Sequence, residues 1–297
     1  MITTPRTLLS CFRPSSLAQP GVAQQINTSY RFMFVREPFS RLLSAYIDKI
    51  LLPDFWTSYG KKLMKFLHRR PKACPSNISF EQFVQFVVLK DGKGQEIGDH
   101  WRPIHELCNP CLFRPLVVGK MESFAEDSQH VLSAMNMSWV TRGLEDRDKR
   151  VHRELDMLVD FNVALLEVRD VFRCTNLSGI VQRLWTAFQL NGYIPTDVTL
   201  PRHFLTSPAT SGPERDKKAY TERFKRFVHE AYESARNRLK DAWKRQRETA
   251  LVEAYRTIGD DLMRGLQKLY EYDFKLFGYD PKPDILFRDR EAFLTDV

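Results

Sequence analysis

The residues best suited to chemistry in this chain of 297 amino acids stand together near its start. Arg36 closes an apolar run, and Ser40 and Ser44 follow one helical turn apart. A guanidinium offers a planar fork of donors that matches phosphate oxygens, and a hydroxyl can complete such a cradle. Anion binding is the chemistry this set implies, and free N–H groups at a helix start would add to it. The opposing reading is an ordinary surface arginine paired with Glu37 or Asp48, and the residues alone leave both open.

The elements that must position these groups are legible in the same stretch. Tyr30, Phe32, Met33, Phe34 and Val35 form a short β-rich apolar run without helical period, which predicts a strand. Pro38 suits a first helical turn, while Phe39, Leu42, Leu43, Tyr46, Ile47 and Ile50 share one helical stripe that should pack onto a sheet. Strand, tight turn and helix place Arg36 at the carboxyl end of the strand, where open α/β sheets bind ligands.

The string Val35, Arg36, Glu37, Pro38, Phe39, Arg41, Leu42, Ser44, Ala45, Tyr46, Lys49 resembles the 3′-phosphate-binding motif of Golgi carbohydrate sulfotransferases, which use the sulfate donor PAPS (3′-phosphoadenosine 5′-phosphosulfate). Two later blocks are similar to segments of the same family in the same order. One is His100, Trp101, Pro103, Leu107, Cys108, Pro110 and Cys111 with Val118, Gly119, Lys120 and Glu122. The other is Leu269, Tyr270, Asp273, Phe274, Phe277, Gly278 and Tyr279. The pattern is nearest to the chondroitin, dermatan and glucuronyl-epitope enzymes, and it covers residues 30–125 and 255–280.

The resemblance implies an α/β fold: a P-loop-NTPase-like parallel sheet flanked by helices, with a largely helical C-terminal half. It also implies PAPS as sulfate donor, held by Arg36 and Ser44, no metal, and an anionic glycan as acceptor. The expected compartment is the Golgi lumen, reached through a membrane anchor that this sequence does not display. His100 is the expected catalytic base, since an imidazole titrates near neutral pH, and Trp101 beside it would offer a sugar-stacking face. His105, Glu106 and Glu122 are the reserve candidates.

One departure stands out. Upstream of its first strand the family carries a basic loop containing Gly, Ser or Thr, whose lysine meets the 5′-phosphosulfate, and Met1 to Asn27 offers no match. The expectation is therefore a disordered leader over 1–28, then a sulfotransferase domain over 29–297 that is incomplete at its N-terminus. Its helical insertion lies around 141–255, and its catalysis is impaired. The alternative is a glycan-binding or partner-binding relative that keeps the fold without the activity.

With 43% apolar residues and a net charge of +8 the chain can bury a sizeable core and suits an anionic partner. No stretch approaches the roughly 20 apolar residues of a membrane span. Asn27, Asn77, Asn136 and Asn176 open glycosylation sequons. The five cysteines, Cys11, Cys74, Cys108, Cys111 and Cys174, would allow two disulfides in a luminal protein, with Cys108 and Cys111 reaching separate partners in Cys74 and Cys174. A zinc site from Cys108, Cys111, His100 and His105 in a nucleic-acid protein is a third class of function. One CxxC without a second ligand pair argues against it, so nucleic acid is not an expected partner.

The remaining pattern predicts a second strand over Leu112–Val118 and helices over 79–89, 122–135, 151–172 and 179–190. The glycine-rich 91–98 lacks Walker spacing and reads as a loop, and SPATSGPE at 207–214 reads as a linker. A single long helix is expected over 215–256. Between Glu214 and Glu248 it carries 12 Lys/Arg against 7 Asp/Glu, either a solvated face or the wall of a glycan groove. A last helix, capped by Asp260, should end at Gly278.

Overall fold

The computed structural model describes residues 24, 26, 28–70, 73–91, 98–142, 147–206, 214–236 and 242–292. The chain enters through strand β1 (Phe32–Val35) and helix α1 (Pro38–Tyr46), which relaxes into a π turn over Ile47–Leu51. Pro53 forces Leu52 into extended backbone and ends that helix. Helix α2 (Lys61–Phe66) follows, then α3 (Phe80–Asp91). The latter opens with a full capping box: Gln82 N–H donates to Ser79 Oγ, and Ser79 N–H to Gln82 Oε1. Helix α4 (Ile104–Cys108) leads through a helical turn at Pro110–Phe113 to strand β2 (Val117–Lys120) and helix α5 (Phe124–Ala134).

The rest is helical: α6 (Arg147–Ala164), α7 (Leu177–Leu190), α8 (Glu214–Arg236), α9 (Ala242–Arg256), α10 (Asp260–Leu269), α11 (Glu271–Phe277) and α12 (Asp284–Ala292). The fold is thus α/β with a small parallel sheet and a largely helical C-terminal half. The two strands run parallel, with Phe32 opposite Val117 and Val35 opposite Lys120. Phe34 faces Gly119, where a β-carbon would come within 2.5 Å of the Phe34 ring, so any larger residue would have to displace that ring.

One continuous core joins the motif helix to the helical half. Phe39 and Leu42 of α1, Phe83 of α3, Leu184 and Phe188 of α7, Phe224 of α8, Tyr255 of α9 and Leu266 of α10 are all buried in it. At about 1.5–3 kcal/mol for each large apolar side chain, this burial is what seats α1. Among the described residues no helix is long and apolar enough to cross a membrane.

Three expectations change, and a fourth is described in part. The second strand is Val117–Lys120 and not Leu112–Val118, because the Asn109 side chain caps a helical turn at Pro110–Phe113 and leaves Leu112 exposed. The expected long helix is helical over Glu214–Arg236 and Ala242–Arg256, with 237–241 outside the described residues, and its two parts have different partners: α8 packs on α6, whereas α9 packs on α1, α7 and α12. Gly259, not Asp260, occupies the N-cap of α10, and the chain turns at Tyr270 into α11 before Gly278, in left-handed backbone at φ 63°, ends that helix. Cys74 pairs with Cys174, leaving Cys108 and Cys111 as free thiols, while Cys11 lies outside the described residues. Most of the expected loop at 91–98 and linker at 207–214 also lies outside them.

Candidate functional site

Arg36 leaves the end of β1 half-buried, and its Nε donates to Ser40 Oγ at 3.3 Å. Its terminal nitrogens meet no acceptor among the described residues, so the pairing with Glu37 or Asp48 does not occur. Burial, then the nearby Arg247, lowers its pKa from the usual arginine value. A guanidinium held with two unengaged nitrogens has the donor geometry that anion binding requires.

Glu37 answers the question of the helix start. Its carboxylate accepts from Phe39 N–H at 2.9 Å and Ser40 N–H at 2.6 Å, and Pro38 has no N–H to give. The expected free N–H groups are therefore spent on the chain's own anion, and an external phosphate has only side chains to meet. Burial pushes the Glu37 carboxyl up despite these bonds. Ser44 lies one turn beyond Ser40, partly buried, and its hydroxyl makes no hydrogen bond among the described residues.

The three blocks, far apart in the chain, converge here through hydrogen bonds. Glu122 accepts from the Glu37 N–H at 3.0 Å through one carboxylate oxygen and from the Tyr279 hydroxyl at 2.9 Å through the other. Burial, then Glu122, raises the Tyr279 pKa, so the phenol stays a donor. Lys120 sits 4.3 Å from the centre of the Tyr279 ring. Arg41 donates to the carbonyls of Arg102 at 2.7 Å and Asp99 at 3.2 Å, which ties the turn carrying His100 to α1. Deeper down, Tyr270 donates to the Trp101 carbonyl at 2.6 Å and Tyr255 to that of Phe39 at 2.8 Å.

His100 lies in that turn, exposed overall but with its ring edge-on to Phe55 at 5.1 Å. The surrounding protein, then the Lys49 ammonium, pushes its pKa below the ordinary imidazole value, and its nitrogens make no hydrogen bond among the described residues. Trp101 does not offer the expected stacking face. Only 1% exposed, it packs against Tyr59 and Phe83 in the core. Among the reserve candidates, Glu122 is fully engaged as described. His105 Nδ1 lies 2.8 Å from the buried carboxylate of Asp273, which also accepts from the Ile104 and His105 N–H groups and so fastens α4 to α11. Among the described residues no cluster of three or more His, Cys, Asp or Glu converges on a point.

Sequence reasoning missed three of these roles: Arg41 as the tie to the His100 turn, Asp273 as the clamp on α4, and Glu37 as the cap. Two carried a signal. A carboxylate stands immediately before Pro38, and an aspartate interrupts the apolar stripe between Tyr270 and Phe274.

Fold and site together describe an α/β protein with a half-buried arginine, two of its nitrogens unengaged among the described residues, at a strand-to-helix junction. The sulfotransferase family matches residues 11–159, half of the chain, and the chain belongs to that family. The match begins upstream of Ser29. Carbohydrate sulfotransferase 11 of Mus musculus is 32% identical over 129 residues, which cover 40% of this chain and 36% of that protein. Carbohydrate sulfotransferase 14 of Danio rerio is 29% identical over 123 residues, covering 40% and 33%, and carbohydrate sulfotransferase 9 of Homo sapiens is 32% identical over 120 residues, covering 38% and 26%. The matched part spans about a third of the length of these relatives. No solved structure matches the chain.

Proposed function

We propose that this protein is a carbohydrate O-sulfotransferase that moves a sulfuryl group from PAPS to a hydroxyl of an anionic glycan, of the galactosaminoglycan or glucuronate-bearing type, in the Golgi lumen. One observation supports this reading above the others: Arg36, with two unengaged nitrogens, stands where the blocks containing Glu122 and Tyr279 are bonded to its own turn. Family membership and the carbohydrate sulfotransferases among its relatives agree with it. So does a disulfide in a chain whose Asn77, Asn136 and Asn176 sequons are exposed.

When bound, PAPS would supply an activated sulfuryl group and a phosphate leaving group. Arg36 and Ser44 would hold its 3′-phosphate, the first by charge and fork geometry and the second by its open hydroxyl. His100 would accept the proton of the acceptor hydroxyl whose oxygen bonds to the transferred sulfur, the phosphate of the donor being the leaving group. The depressed pKa of His100 keeps it in the proton-accepting form at neutral pH. Arg41 acts through position, holding the His100 turn by its backbone carbonyls.

The second reading is a glycan-binding or partner-binding relative that keeps the fold with impaired catalysis. Transfer of radiolabelled sulfate from PAPS to desulfated chondroitin separates the two. The enzyme reading predicts transfer that His100→Ala removes, and nucleotide binding without transfer would select the second.

A further inference from the structure

Away from this site a basic cleft remains without a role. It encloses about 360 Å³ between α2 with the loop that follows it and the segment ending at Cys174, and the Cys74–Cys174 disulfide clasps its two walls. Lys61, Lys65, Arg69, Arg70 and Arg173 line it against one carboxylate, Asp170. That carboxylate is taken by Lys61 at 2.6 Å and lies 3.7 Å from Arg173. The charged ends of Lys65, Arg69 and Arg70 are exposed and pair with no carboxylate among the described residues. Such a surplus of one sign in a concave, cross-linked setting focuses a field that attracts polyanions.

The cleft connects to the proposed transfer site through an aromatic strip. His100 packs on Phe55, Phe55 stacks on Tyr59 at 5.5 Å, and Lys62 lies 4.6 Å from the centre of the Tyr59 ring, on the turn that enters α2. Trp56, from the same turn as Tyr59, lies buried beneath the cleft with Arg183 over its ring, so the partly exposed Phe55 and Tyr59 form the strip. Aromatic faces flanked by cations suit a chain of sugar rings bearing regularly spaced carboxylate or sulfate groups.

We propose that this cleft is an exosite that grips the anionic groups of the acceptor glycan several sugars away from the hydroxyl being modified, with the Phe55–Tyr59 strip carrying the chain between cleft and His100. This rests on the sulfotransferase reading and adds to it a preference for long acceptors. Neither Lys65, Arg69 nor Arg70 has a part in the donor site, so their removal leaves the transfer machinery intact.

The test uses the full chain and the triple variant Lys65→Glu, Arg69→Glu, Arg70→Glu, with circular dichroism to show that both are folded. Probes are a long chondroitin sulfate oligosaccharide, a chondroitin disaccharide and a DNA duplex of similar charge. Thermal stabilisation by 3′-phosphoadenosine 5′-phosphate is measured in parallel. The proposal expects affinity for the long oligosaccharide to fall roughly tenfold or more, with disaccharide affinity and nucleotide stabilisation as in the parent. It is overturned if long-oligosaccharide affinity is unchanged or undetectable in both proteins. Equal losses for both sugars, or parent binding to DNA as tight as to glycan, also overturn it. The nucleotide measurement reads the sulfotransferase assignment separately, so either can fail alone.

Discussion

At the scale of single residues, the account depends on what Arg36, Ser44 and His100 leave unengaged. Charge-assisted hydrogen bonds contribute about 1.5–3 kcal/mol each. Arg36→Ala should therefore weaken nucleotide binding by roughly tenfold to a hundredfold, and Arg36→Lys should restore only part of it, since an ammonium lacks the planar fork. Isothermal titration checks both. His100 carries a pH prediction. Its folded pKa lies below the ordinary value of 6.5, so the folded state binds its proton less readily than the unfolded chain does. The stability tied to the neutral ring is complete above that ordinary value and is lost as pH falls through the folded one. Turnover should follow the same limb, holding to lower pH than an ordinary imidazole would allow. A pH profile of kcat whose acid limb begins above the ordinary value would count against His100 as base.

At the scale of elements, the structure turns on how the blocks are tied together. Asp273 satisfies two backbone N–H groups at the start of α4 and holds His105. Asp273→Ala should cost at least about 1–2 kcal/mol, as the loss of a helix cap does, measurable by urea denaturation. The same comparison shows where the chain is legible. β1, α1 and the capping box of Ser79 and Gln82 are local patterns, and the structure has them where the residues predict. Burial of Trp101 and the engagement of Glu122 by Tyr279 are not local, and no periodicity near position 101 or 122 announces them. The displaced second strand has a local cause, because Asn109 and Pro110 start a helical turn inside a run that otherwise reads as β. Arg36 at the end of β1 and Ser44 in α1 could be placed on their elements because strand and helix are adjacent in sequence. The setting of Arg36 among Arg41, Glu122 and Arg247 required the tertiary fold.

At the scale of the whole molecule, the helical half and the motif helix share one core, and a cross-link spanning 100 residues joins α2's side of the molecule to the segment before α7. Closing so long a loop restricts the unfolded chain strongly. Replacing Cys74 and Cys174 with serine should cost about 2–5 kcal/mol and lower Tm, with the parent under reducing conditions following the variant. The central claim, however, is that this assembled molecule holds a 3′-phosphorylated nucleotide at the end of β1. Thermal unfolding with increasing 3′-phosphoadenosine 5′-phosphate tests it most directly, because a ligand that binds only the folded state raises Tm with concentration. The account predicts a saturable rise in Tm for the parent that Arg36→Ala and Ser44→Ala each diminish, in variants folded by circular dichroism. A parent that shows no rise, or variants that keep it in full, would contradict the account.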